Sequence, residues 1–169
     1  MTGRRAALLG LALVLSGCSL IGGDISPDDL CRGVADTDVR TALGAPDGVA
    51  VAFAMESGGC VWSTPSDDGR PRNMRATIRR ERDLKRALPP RSGAWAFEDA
   101  LHALEKDYPR TRVLGGLGDA AVIGFGAIGE DRFAGGLVAR KNGDVLTLRI
   151  EGDDPAAFEA AARSIADRM

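Results

Sequence analysis

The sequence predicts an α+β domain: an antiparallel β-sheet of about six strands with helices packed against it, stapled by one disulfide. Three observations carry this. Several stretches place apolar residues at every second position, the period of a half-buried strand, and short turns join them; links that short suit antiparallel neighbours. Other stretches place apolar residues three and four apart, the stripe of an amphipathic helix. Two cysteines, Cys31 and Cys60, remain as a pair once the third is assigned elsewhere.

The third is Cys18. Arg4 and Arg5 open the chain and an apolar run from Ala6 to Leu15 follows. That run is about half the length a bilayer-spanning helix needs. It ends in Leu15-Ser16-Gly17-Cys18, the pattern of a lipobox. Small side chains before the cut let the backbone lie in a peptidase cleft, and the thiol accepts a diacylglyceryl group. Residues 1–17 therefore read as a lipoprotein signal peptide and residues 18–25 as a lipidated tether. Residues 26–169 read as a single extracytoplasmic domain held on the outer face of the cell membrane by lipid on Cys18. In that oxidising compartment Cys31 and Cys60 are expected to form a disulfide. Two thiols with no nearby histidine make a poor metal site, and no metal or cofactor is expected.

The elements follow in order. Ser26-Pro27-Asp28-Asp29 starts a helix, with a capping serine, proline at the first helical position and acids in the first turn. A second short helix takes Asp36 as its cap and Gly44 as its stop, with Val39, Ala42 and Leu43 apolar. Val49, Val51, Phe53 and Met55 alternate as a strand, and Gly58-Gly59 turns the chain into Cys60-Val61-Trp62. Period two puts Cys60 and Trp62 on one face, so the indole packs beside the disulfide. Asp67-Asp68-Gly69 reads as a hairpin turn into Asn73 to Arg79, where Met74, Ala76 and Ile78 face inward and Arg75, Thr77 and Arg79 outward.

Pro89-Pro90 closes a short charged segment. From Gly93 to Tyr108 runs the clearest helix, with Phe97, Leu101, Leu104 and Tyr108 on one stripe and Pro109 as its stop. The glycine-rich stretch from Gly115 to Gly129 precedes a hairpin whose turn, Asn142-Gly143-Asp144, has the composition of a type I′ turn. It leads into Val145 to Ile150. Asp154-Pro155 caps a final helix bearing Phe158, Ala161, Ala162 and Ile165. The order is helices, three strands, helix, three strands, helix.

Lipobox, Asp28-Asp29-Leu30-Cys31, Ala42-Leu43-Gly44, Gly59-Cys60-Val61-Trp62 and Gly116-Leu117-Gly118-Asp119-Ala120-Ala121 follow one another along the chain. This succession resembles the actinobacterial envelope lipoproteins of the DUF3558 type, a domain of unknown function. Asp36-Thr37 departs from that family's usual proline after the first helix. The resemblance implies an envelope lipoprotein with an extracytoplasmic α+β domain and supplies no reaction.

Candidate chemistry is sparse. His102, the single histidine, falls on the polar side of its helix, and no serine stands in a Gly-x-Ser-x-Gly context. The acidic pairs sit at helix starts and turns, where capping accounts for them. Gly115-Gly116-Leu117-Gly118 lacks the lysine and hydroxyl of a phosphate loop and reads as a tight turn. Trp95 stands outside the apolar stripe, where it either rims a pocket or covers the helix start. The segment from residue 70 to 91 is rich in arginine; Arg72, Arg75, Arg79, Arg82 and Arg86 are its candidate patch for an anionic surface, or else a solvated face. A formal charge of −2 gives no support to a nucleic-acid partner.

These readings favour a noncatalytic binding or sensing module at the cell envelope. Its expected partners are the membrane, through Cys18, and an envelope protein or amphiphilic ligand. The alternatives are a carrier of an amphiphilic envelope ligand and an envelope hydrolase.

Overall fold

The computed structural model describes residues 27–45, 47–56, 58–65 and 71–169. The signal peptide, Cys18, the tether, Ser26 and the Asp67-Asp68-Gly69 turn lie outside the described residues.

Two short helices come first, α1 (Pro27–Gly33) and α2 (Asp36–Leu43). Val39, Ala42 and Leu43 make the buried side of α2, which ends where Gly44 turns left-handed at φ 59°. Asp36 is the first residue of this helix and Ala35 its cap. Asp36 accepts from Arg40 one turn on, at 2.6 Å, and lies near the positive end of the helix dipole.

Strands β1 (Ala52–Glu56), β2 (Gly59–Thr64) and β3 (Arg72–Arg79) follow, then α3 (Glu81–Arg86) and α4 (Gly93–Asp107). Strands β4 (Arg110–Val113), β5 (Ala120–Ala127), β6 (Phe133–Lys141) and β7 (Asp144–Gly152) lead into α5 (Pro155–Asp167). The strands form one seven-stranded sheet in the order β1-β2-β3-β7-β6-β5-β4, with every neighbouring pair antiparallel.

The two groups of strands meet where β3 pairs with β7, and their register sets apolar residues opposite one another: Met74 against Ile150, Ala76 against Leu148, Ile78 against Leu146. A slip of β3 by one residue would turn Met74, Ala76 and Ile78 outward, so burial fixes this register. On this face of the sheet lie α1, α2 and α5, with Phe158, Ala161, Ala162 and Ile165 of α5 buried against it. The expected cap is in place: the Asp154 carboxylate accepts from the backbone N–H groups of Ala156 and Ala157 at 2.8 and 3.1 Å. Cys31 and Cys60 form the disulfide, with Cα atoms 5.8 Å apart, tying α1 to β2. Trp62 is buried on the same face as Cys60, and the half-exposed ring of Phe53 lies 5.7 Å from it.

The other face carries α4. Phe97, Leu104 and Tyr108 pack with Val138 and Val145 over β5, β6 and β7. Helix and sheet approach closely because glycines floor the contact. A methyl group at Gly136 would come within 2.6 Å of Leu104 Cδ1, and one at Gly124 within 3.0 Å of Tyr108 Cβ. This is why much of the glycine-rich stretch is strand β5: its glycines make room for a helix, and the chain turns at Gly115 to Asp119 before it and from Ile128 after it.

Two elements have no counterpart in the sequence reading. Helix α3 buries none of its side chains, so it shows no apolar stripe. All four residues of β4 are exposed, so it shows no alternation. No helix among the described residues is long and apolar enough to cross a membrane.

Candidate functional site

At the end of the sheet where β7 gives way to α5, a cleft of about 180 Å³ opens between four separate segments. Arg110 opens β4, Phe125 lies opposite it in β5, Arg132 and Phe133 enter β6, and Pro155 begins α5. Its aromatic wall is part of a triangle. Phe125, Phe133 and the fully buried Phe158 have ring centroids 6.0 to 6.2 Å apart, with Phe125 edge-on to Phe158 at 87°.

Arg132 is the unusual member. Only 14% of its side chain is exposed, and its nearest carboxylate oxygen, Glu151 Oε2, is 3.8 Å from Nη2. Nε and Nη2 are both buried, and neither has a hydrogen-bond acceptor among the described residues. An unpaired buried N–H on a charged group costs about 1–3 kcal/mol or more, so such groups are ordinarily satisfied. Arg110, across the cleft, has no ion-pair partner among the described residues, and Glu130 stands at the rim. Two guanidiniums beside two phenyl rings suit an anionic group carried on a small apolar body. The single rim carboxylate restricts where the anion sits.

A second cleft, of about 200 Å³, lies at the opposite end of the sheet between α1 and α5. Leu30, Val34 and Ile165 make it mainly apolar. Its arginine is already committed: Arg168 donates to Asp38 at 2.7 Å, to Ser164 at 2.9 Å and to the Gly33 carbonyl. Arg80, at the β3–α3 junction, is also buried with Nε unpartnered among the described residues, and it lines neither cleft.

The arginines singled out from the sequence are not brought into one patch. Arg72 lies on the α2–α5 side of β3, paired with Asp153, whereas Arg75 and Arg79 lie on the opposite side. Arg75 pairs with Glu56 at 2.7 Å and Arg79 with Asp99 at 3.1 Å. Arg82 pairs with Asp83 at 3.5 Å. Arg86 ends α3 with no ion-pair partner among the described residues. Trp95 lies in the first turn of α4, 40% exposed, with the Arg91 guanidinium 3.9 Å from its ring centroid. It lines neither cleft, and its backbone N–H donates to the capping Ser92 Oγ at 3.1 Å. His102 is exposed on α4. Cys18 lies outside the described residues.

Among the described residues, no three His, Cys, Asp or Glu side chains gather as a metal site. The cleft at Arg132 had no sequence signature. Its residues come from β4, β5, the β5–β6 loop and α5, and the glycines and acids around Arg132 read locally as a turn. Comparison of the chain with protein-family models, with curated proteins and with solved structures finds no match.

Proposed function

We propose that the protein is a membrane-anchored, noncatalytic binding module of the cell envelope, and that the Arg110–Arg132 cleft is its ligand site. The lipobox at Cys18 and the resemblance to envelope lipoproteins support the location. The Cys31–Cys60 disulfide is in keeping with an exported domain. The observation that carries the ligand site is Arg132, a mostly buried guanidinium that lines the cleft with Arg110 and whose nearest carboxylate oxygen is 3.8 Å away. The ligand class is a small carboxylate or phosphate ester with an apolar or aromatic body, because the rings of Phe125 and Phe133 line the same space.

Size favours this over carriage of a whole lipid. Pockets that enclose drug-sized ligands run to roughly 300–1,000 Å³, and this cleft measures about 180 Å³.

The test is thermal unfolding of the full chain with inorganic phosphate, benzoate and phenyl phosphate. A probe present at about a hundred times its Kd adds about 2.7 kcal/mol of stability. The natural chain should be stabilised most by phenyl phosphate, and Arg132→Gln should lose that response. If no probe stabilises the natural chain and Arg132→Met unfolds no earlier than it, Arg132 is a structural oddity and the site is withdrawn.

A further inference from the structure

We propose that the segment from Glu81 to Trp95, comprising α3, the turn after it and the first turn of α4, seats the domain on an anionic lipid bilayer. This inference rests on the anchored-module reading and adds the surface by which the module is oriented.

Leu88 is 95% exposed at the turn between the two helices, the most exposed of the large apolar side chains described. Helix α3 beside it has no fully buried side chain; only its Leu84 packs, partly buried, against the core under α4, and Leu88 lies beyond that contact. Trp95 follows in the first turn of α4 with its indole partly outside, under the guanidinium of Arg91. Around this apolar tip the charge is one-sided. Residues 81–95 hold four cations and two carboxylates, a net of +2, in a chain whose formal charge is −2. Lys85 pairs with Glu81 at 3.1 Å yet stays 63% exposed, and Arg86 has no ion-pair partner among the described residues.

Apolar tip, indole and cationic collar each match one layer of a membrane interface. A leucine enters the boundary of headgroups and acyl chains. An indole settles at headgroup level. Lysine and arginine stems lie along apolar surface while their charges reach lipid phosphates.

The topology puts this tip at the appropriate end of the molecule. The disulfide holds α1 to Cys60, the second residue of β2, and β2 begins at Gly59 opposite Thr77. Two residues further on, β3 ends at Arg79 and the chain enters α3. The described chain thus begins beside the same sheet end from which the tip projects. From Cys18 to Pro27 is nine residues, about 30 Å when fully extended. A lipid on Cys18 therefore keeps the tip at high local concentration near the bilayer, where a modest surface affinity suffices.

The test reconstitutes the full chain into vesicles of phosphatidylcholine, with or without phosphatidylglycerol, bearing brominated acyl chains that quench tryptophan. Trp62 is buried in the core, so Trp95→Phe supplies the background. Trp95 is expected to be quenched in the anionic vesicles and less so in phosphatidylcholine alone. Leu88→Glu should abolish most of the quenching. Each cation near an anionic surface is worth about five-fold in partition, so Lys85→Glu with Arg86→Glu should weaken seating roughly 25-fold or more. Arg75→Glu, on the sheet face four residues before β3 ends, should leave it intact.

Quenching absent in anionic vesicles, or unchanged by Leu88→Glu, overturns the proposal. So does crosslinking of this segment to an envelope protein without any lipid quenching, which assigns the surface to a protein partner. Sedimentation with vesicles reports the anchor separately. If the chain does not sediment, the anchor reading falls, and quenching titrated with added vesicles still decides the docking surface.

Discussion

The Tyr108 hydroxyl donates a buried hydrogen bond of 3.1 Å to the carbonyl oxygen of Gly135, fastening the end of α4 to β6. The same ring lies beneath Arg149, whose guanidinium is 5.2 Å from the ring centroid and 2.8 Å from Asp107. Tyr108→Phe keeps the ring and removes the donor, leaving the Gly135 oxygen without it. Equilibrium unfolding in urea should show a loss of about 1–2 kcal/mol; an unchanged midpoint would mean that water replaces the hydroxyl.

Gly93, at the start of α4, lies against the β6–β7 turn. A methyl group there would fall on the carbonyl oxygen of Gly143, a backbone atom held by the turn's own geometry, with Asn142 at φ 53° and Gly143 at φ 87°. Gly93→Ala should therefore destabilise by about 1–3 kcal/mol, even though alanine is the better helix former. Thermal unfolding checks the sign; a stabilised variant would show that the contact yields.

The disulfide closes a span of 29 residues. Chain-entropy arguments assign about 3–4 kcal/mol to a loop of that size. Replacing Cys31 and Cys60 together by serine should lower stability by this order in denaturant unfolding. A loss well under 1 kcal/mol would show that α1 stays in place through Leu30 and Val34 alone.

Cys18→Ser removes the acceptor of the lipid. Cell fractionation should find the variant in the soluble extracytoplasmic fraction and the natural chain in membranes. Continued membrane retention of the variant would sink the anchor reading.

How far the fold was legible depended on whether an element advertises itself through burial. Helix α4 showed its stripe because Phe97, Leu104 and Tyr108 must all face the sheet. Met74, Ala76 and Ile78 showed theirs because β3 lies inside the sheet with one face covered. The Asp154 cap and the Asn142-Gly143 turn were legible because each depends on one or two residues with a local conformational role. Helix α3 has no fully buried side chain and all of strand β4 is exposed, so neither left a pattern. Glycines in β5 read only as part of a glycine-rich stretch because the reason for them, the side chain of Tyr108, lies on another element.

By itself, then, the sequence determined the α+β class, the Asp154 cap, the Asn142-Gly143 turn, the inward faces of the central strands and the pairing of Cys31 with Cys60. These follow from interactions within a few residues or from periodic burial. The tertiary structure alone decided that β3 pairs with β7, that Arg72 parts company with Arg75 and Arg79, and that Arg110 and Arg132 line one cleft. It also decided that Leu88 projects, almost fully exposed, from the turn between α3 and α4. Such neighbours are set by how the sheet closes on itself, and a contact between distant segments leaves no period in either of them.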